Sequence, residues 1–223
     1  NEEKTIQSVI KNVNNVLQNN YANNFETIVI NDGSTDNSEN ILMEIKESYS
    51  ELISSKKNFG KGNAIKLGIE KSKGEIVIIQ DADLEYDPNE YTKLLKPFFE
   101  YDADIVYGSR FKSSEVNRVL FFWHSIGNFI LTTFSNMFTN LNLSDMENCY
   151  KAFKSEIIKK IDLKENRFGF EPEITAKISQ KKLRIYEVGI KYYGRTYSEG
   201  KKITWRDGLS AIRCIIYYNF FKN

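Results

Sequence analysis

Histidine and cysteine are nearly absent. His124 is the one imidazole in 223 residues, and Cys149 and Cys214 are the two thiols. So little histidine argues against a histidine-based metal centre. The cysteines have neither metal-ligand nor disulfide spacing, which fits a reducing, cytoplasmic compartment. Any metal would be held by oxygen, as Mg²⁺ or Mn²⁺ is. An excess of charge of one sign is missing too: the net charge is +1, so nothing drives the chain toward nucleic acid, and no nucleic-acid partner is expected. A signal peptide, an internal repeat, a low-complexity linker and a clean membrane span are all lacking. The longest apolar stretch, Val119 to Leu143, is broken by His124, Asn128, Asn136 and Asn140. Burying those groups in lipid is costly, so the stretch suits a helix or helix pair lying at a membrane surface. The chain opens at Asn1 in helix-like sequence, and upstream residues are expected.

What is present reads as one globular domain of strands alternating with helices. Helical spacing runs from Glu3 to Leu17, with Ile6, Val9, Ile10 and Val13 on one face. Ile28 to Ile30 form a short strand, followed by a turn at Asn31-Asp32-Gly33-Ser34 and a helix to about Tyr49. A glycine-containing loop, "NFGKGNA", leads into a helix closing at Gly74. Glu75 to Gln80 is a strand, Pro88 opens a helix to about Tyr101, and "ADIVYGSR" is a buried strand. After Phe111 come the long apolar segment, a loop with a short strand and helix, a further helix and strand, and an aromatic-rich helix from Trp205 to Phe221. This order predicts a parallel sheet with helices on both faces and a ligand beyond the carboxyl ends of its strands. Asp32, Asp81 and Arg110 each fall just after such an end.

Three motifs carry candidate chemistry. In "EIVIIQDADLEYDP" an apolar run stops at Asp81-Ala82-Asp83. In extended backbone the two carboxylates share a face and repel unless a cation lies beside them. A divalent ion that also binds substrate phosphates relieves that repulsion; the alternative is a solvated turn capping the helix ahead of Pro88. In "NDGSTD", Asp32 and Ser34 suit the base or ribose of a nucleotide, or simply cap a turn. In "NFGKGNA", Gly60 and Gly62 allow a ligand to approach the backbone and Lys61 can meet phosphate, although neither a P-loop nor a dinucleotide spacing is present.

Together and in this order, Asn1-Glu2, "NDGSTD", "NFGKGNA", "DADLEYDP" and "YGSRF" resemble the family 2 glycosyltransferases. "LSDMENCYKAF", "FGFEPEITAKI" and "YYGRTYSEGKKITWRDG" resemble its dolichol-phosphate mannosyltransferase-like and bacterial polyprenyl-phosphate branch. The resemblance implies a Rossmann-like α/β nucleotide-diphospho-sugar transferase fold with a mostly parallel central sheet. The family's first strand, which precedes Asn1, is absent here. Residues 1–111 are expected to bind the nucleotide sugar, and residues 112–223, with the amphipathic helices, the acceptor.

The resemblance also implies roles. Glu2 and Asp32 contact the base or ribose with Ser34 nearby, Asp81 lies by the ribose and diphosphate, and Asp83 ligates the metal. Arg110, Arg118 and Ser125 face the acceptor phosphate, while Arg195 and Lys201 close over the diphosphate. Asp145 and Glu171 orient the donor sugar, or serve as a base if the acceptor is a hydroxyl. The expected reaction is inverting, metal-dependent transfer from a UDP- or GDP-linked sugar to a polyprenyl phosphate at the cytoplasmic membrane face. The alternatives are transfer to a saccharide hydroxyl, a non-catalytic nucleotide-binding subunit, and a nucleotidyltransferase. The last would need a glycine- and arginine-rich phosphate loop near the N-terminus, and none is visible.

Overall fold

A computed structural model describes residues 1–21, 24–113, 118–119, 121–196, 199–200 and 205–221. Helix α1 (Ile6–Tyr21) buries Ile6, Val9, Ile10, Val13 and Val16, the apolar face expected from spacing. Strand β1 (Ile28–Asn31) then leads through the turn to α2 (Ser38–Glu44), which is shorter than expected, since a 3₁₀ turn at Lys46–Ser48 ends it. Residues 50–57 suggested no element, yet they contain β2 (Glu51–Ser54). Two apolar residues in four are too few for a periodic signal; β2 is defined instead by its parallel pairing with β1, Ile28 opposite Glu51 and Asn31 opposite Ser54.

Helix α3 (Lys61–Lys71), strand β3 (Ile76–Ile78), helix α4 (Tyr91–Glu100) and strand β4 (Ile105–Ser109) follow. All of β4 is buried, as its unbroken apolar run implied. The long apolar segment contains one helix, α5 (Phe122–Thr139). Strand β5 (Lys151–Lys154), the single-turn α6 (Ser155–Ile158), helix α7 (Phe170–Ser179), strand β6 (Ile185–Gly189) and helix α8 (Trp205–Phe220) complete the chain.

Strands β1 and β2 form one sheet, and the other has the order β3-β5-β4-β6. Strand β5 runs antiparallel to both neighbours, whereas β4 and β6 are parallel. Thus β3, β4 and β6 point one way and β5 alone opposes them. The second sheet is therefore mixed rather than wholly parallel. Strands β1 and β3 belong to separate sheets.

The main core joins α1, α4 and α7 to this sheet. Leu94, Ile105, Tyr107, Tyr150, Phe153, Ile174 and Ile178 are completely buried. Helix α8 seats Cys214 and Tyr218 against Ala176 of α7 and packs beside α5. Among the described residues no helix is long and apolar enough to cross a membrane.

Candidate active site

The loop leaving β3 carries Asp81 and Asp83 and is held from three sides. Thr5 Oγ1 donates to Ala82 O (2.8 Å), Tyr193 N donates to Glu85 O (2.9 Å), and Tyr86 pairs across a bridge with Tyr192. Leu84 adopts φ 61°, which turns the chain sharply after Asp83.

Cations meet this loop from two directions. Lys61, at the start of α3, places Nζ 3.3 Å from Asp81 Oδ2 and 3.1 Å from Glu171 Oε1 at the start of α7. Burial opposes the lysine's charge, but Asp81 and the surrounding anions outweigh it and hold the ammonium above its ordinary value. Arg195, beyond β6, reaches Asp83 Oδ2 with Nη2 at 2.8 Å, Glu2 Oε2 with Nη1 at 3.3 Å and Glu85 Oε1 with Nε at 3.4 Å. Its backbone N–H also donates to Glu85 Oε1 (2.8 Å). Burial, then the neighbouring Asp81 and Glu85, push the Asp83 carboxyl up to about 7 against the pull of Arg195. The pocket is crowded with negative charge, and Arg195 is one of the cations in it. Glu85, a buttress of this arrangement, was not singled out in the sequence. Its place within "DADLEYDP" was the available signal.

At the end of β1, Asp32 accepts from the backbone N–H groups of Phe59 (3.0 Å) and Gly60 (2.6 Å), fastening the loop before α3. Ser34 N donates to Asn31 Oδ1 (3.1 Å). The expectation that Gly60 and Gly62 admit a ligand is corrected. A Cβ on Gly60 would lie 2.4 Å from Asn166 O, and one on Gly62 would lie 2.4 Å from Glu165 O. These glycines let α3 approach the protein's own 165–167 segment. Lys61, expected at a phosphate, is engaged by two carboxylates.

Arg110 follows β4. Its Nε lies 2.7 Å from Asp145 Oδ2 and its Nη2 2.6 Å from Asp145 Oδ1, a fork-to-fork pair, and Nη2 also donates to Asn128 Oδ1 (3.0 Å) on α5. Tyr192 lies under the guanidinium. Asp145 is wholly buried, and although burial disfavours its charge, Arg110 holds its carboxyl below the ordinary value. A carboxylate so engaged is a poor proton acceptor. The geometry therefore makes Asp145 the partner that positions Arg110, and the idea that it serves as a base is set aside.

Ser125 shares with Asn128 a groove of about 630 Å³ that Phe111, Phe129 and Met137 also line. Arg110 bonds to one lining residue of that groove, Asn128, whereas Arg118 donates to Gly194 O (2.9 Å) and pairs with Glu199 (2.9 Å). Lys201 lies outside the described residues.

The family described as "Glycosyl transferase family 2" matches residues 1–162. A dolichyl-phosphate beta-glucosyltransferase of Trichomonas vaginalis is 29% identical over 218 residues, 86% of this chain and 63% of that protein. A UDP-N-acetylglucosamine–dolichyl-phosphate N-acetylglucosaminyltransferase of Methanococcus voltae is 27% identical over 89% of this chain and 84% of its own length. A dolichol-phosphate mannosyltransferase of Pyrococcus furiosus is 25% identical over 91% and 58%. The chain therefore spans under two thirds of two of these three relatives. Among solved structures, glucosyl-3-phosphoglycerate synthase from Mycobacterium tuberculosis, crystallised with Mn²⁺, UDP and phosphoglyceric acid, superposes with a TM-score of 0.75. It is 18% identical, over 100% of this chain and 76% of that one, and shows the shared fold.

Proposed function

Since the chain belongs to glycosyl transferase family 2 and is a glycosyltransferase, we propose that it transfers a sugar from a UDP- or GDP-linked donor to a polyprenyl phosphate, with inversion and with a divalent ion. The observation that carries this reading is the meeting of Asp81, Asp83, Lys61 and Arg195 at the exit of β3. Paired carboxylates and convergent cations are what a sugar nucleotide's diphosphate requires.

The residues fit a hard divalent ion. The candidate ligands are carboxylate oxygens; burial first, then repulsion from Asp81 and Glu85, raises Asp83, and a cation beside it relieves the repulsion. Among the described residues no cluster of three or more His, Cys, Asp or Glu is arranged to hold a metal. The protein would thus supply Asp83 and Asp81, leaving other positions to phosphate oxygens and water, as Mg²⁺-type sites do. When bound, the ion neutralises charge on the leaving diphosphate. Arg195 adds a second positive group there, Lys61 keeps Asp81 oriented, and Glu2 and Asp32 lie toward the base and ribose.

The state of the carboxylates supports the acceptor assignment. A polyprenyl phosphate is already an anion and needs no general base, whereas a hydroxyl does. Asp145 is spent on Arg110, and Glu171 is ion-paired with Lys61. Nη1 of Arg110 makes no hydrogen bond to a described residue and suits a phosphate oxygen beside the Ser125 groove.

The same reading places aromatic faces of α5 and α8 at the membrane surface. Phe122 and Trp123 are 67% and 78% exposed, and Trp205 and Phe221 are both 72% exposed. Phe138 of α5 meets Phe220 of α8 ring to ring at 4.9 Å, so the two helices act as one apolar unit. Calorimetric titration of UDP and GDP, with and without Mn²⁺, tests the donor side. Metal-dependent binding of one of them is expected; binding of neither, or binding that Mn²⁺ leaves unchanged, would contradict it.

A further inference from the structure

Two fully buried carboxyl oxygens beside the site have no hydrogen-bond partner: Oε1 of Glu147 and Oε2 of Glu171. A buried acceptor left unpaired carries its whole desolvation penalty, so such atoms call for an explanation. Around Glu147 everything else is tied down. Lys151 Nζ donates to Met146 O (3.1 Å) and to Asn148 O, the carbonyls on either side. Asn148 Nδ2 donates to Asp145 Oδ2 (3.2 Å), and its Oδ1 accepts from Tyr150 N (2.6 Å). Glu147 is thus presented from a rigid loop while its own carboxyl bonds to no described residue. Glu171 is half-engaged: Oε1 pairs with Lys61, which in turn holds Asp81. A chain of contacts therefore links Glu171 to the candidate diphosphate loop.

We propose that Glu147 is a specificity-determining residue for the donor: its free oxygen holds a hydroxyl group of the sugar being transferred, beside Glu171, which the family resemblance already sets at that sugar. The proposal rests on the donor reading above. The groups facing Glu147 are Glu171 from α7, Lys151 from β5, Arg110 after β4 and Asp145 from its own loop. Burial first, and Glu171 next, push the Glu147 carboxyl up to about 8 against Lys151 and Arg110. Holding its proton, the Glu147 carboxyl itself offers a donor and an acceptor. A donor and an acceptor side by side match a neutral hexose, whose hydroxyls do both. A uronic acid would set a third carboxyl against the pair and is rejected. A carboxyl buried only to brace the loop would be bonded to it, as Asn148 is.

The test uses the whole chain with Mn²⁺, polyprenyl phosphate, the preferred nucleotide sugar, its epimers and its uronic acid counterpart. Binding of the free nucleoside diphosphate is measured in parallel. Glu147→Ala is expected to raise the donor KM about five- to tenfold, the loss of one hydrogen bond. It should narrow discrimination between epimers and leave nucleoside diphosphate affinity unchanged. Glu147→Gln keeps a donor group; its KM should stay within about threefold of the wild type and should no longer rise between pH 7 and 9. An unchanged donor KM and epimer ratio in Glu147→Ala would overturn the proposal, as would an equal loss of nucleoside diphosphate affinity. Wild-type protein that binds no nucleoside diphosphate and transfers no sugar would instead overturn the donor reading, and this inference with it.

Discussion

Arg195 and Asp83 are partners, with Nη2 of the arginine 2.8 Å from Oδ2 of the aspartate across 112 residues of sequence. The arginine occupies the place where the account puts a divalent ion, and the two cations compete for one carboxylate. Arg195→Gln is therefore expected to tighten Mn²⁺ binding severalfold in the absence of nucleotide while lowering turnover, because the leaving diphosphate loses a positive group. Manganese electron paramagnetic resonance measures the first effect and steady-state kinetics the second. Asp83→Ala should reduce metal-dependent turnover about a thousandfold, the scale of several kcal/mol of charge stabilisation.

The Arg110–Asp145 pair is structural as well as local to the site. Asp145→Asn leaves a guanidinium with a side chain only 15% exposed and no counter-ion. Removing one partner of a buried pair costs about 3–5 kcal/mol, so chemical denaturation should show a loss of that order. A loss below about 1 kcal/mol would mean that water reaches Arg110 freely.

Gly60 has φ 107°, and a Cβ there would strike Asn166 O at 2.4 Å. Gly60→Ala should cost at least about 2 kcal/mol in urea unfolding and weaken nucleotide binding, because Asp32 grips the Gly60 N–H.

Glu147 gives a pH signature in stability. Its folded-state carboxyl lies above the ordinary glutamate value, at about 8. A raised acid contributes stability that is full below its unfolded value and is lost as pH rises through the folded one. Glu147→Gln mimics the protonated form and does not titrate. Melting temperatures of mutant and wild type should therefore lie close together at pH 5 and diverge toward pH 9, with the mutant the more stable. Parallel curves across that range would contradict the burial assigned to this carboxyl.

Membrane docking is testable through the exposed rings of α5. Phe122→Ser with Trp123→Ser should reduce flotation with anionic vesicles and leave nucleotide affinity intact. Equal flotation of mutant and wild type would remove α5 from the membrane face.

Much of the fold could be read in advance because it rests on local signals. The i, i+3, i+4 stripe of α1 and the unbroken apolar run of β4 each appear within a few residues. Strand β2 was not legible, since four residues with two apolar positions become a strand only through β1. The reversal of β5 was hidden for a similar reason: direction depends on the path of the whole α5 segment. In the site, Asp81, Asp83, Lys61 and Arg195 were found from their motifs, and the structure brings them together. What each one holds was not legible, because Lys61 finds Glu171 and Arg110 finds Asp145 across gaps of 110 and 35 residues that no spacing rule spans. Glu147 escaped notice because only the buried, unpaired Oε1 of its carboxyl distinguishes it from a loop glutamate.

Metal-dependent sugar transfer to a lipid phosphate can be read in a single assay. The chain is incubated with polyprenyl phosphate, Mn²⁺ and labelled nucleotide sugars, and label entering the organic phase is counted with and without chelator. Transfer from one donor is expected, and it should stop on chelation and be lost in Asp83→Ala. Nucleoside diphosphate release only when a saccharide hydroxyl replaces the lipid, with no label in the organic phase, would contradict it.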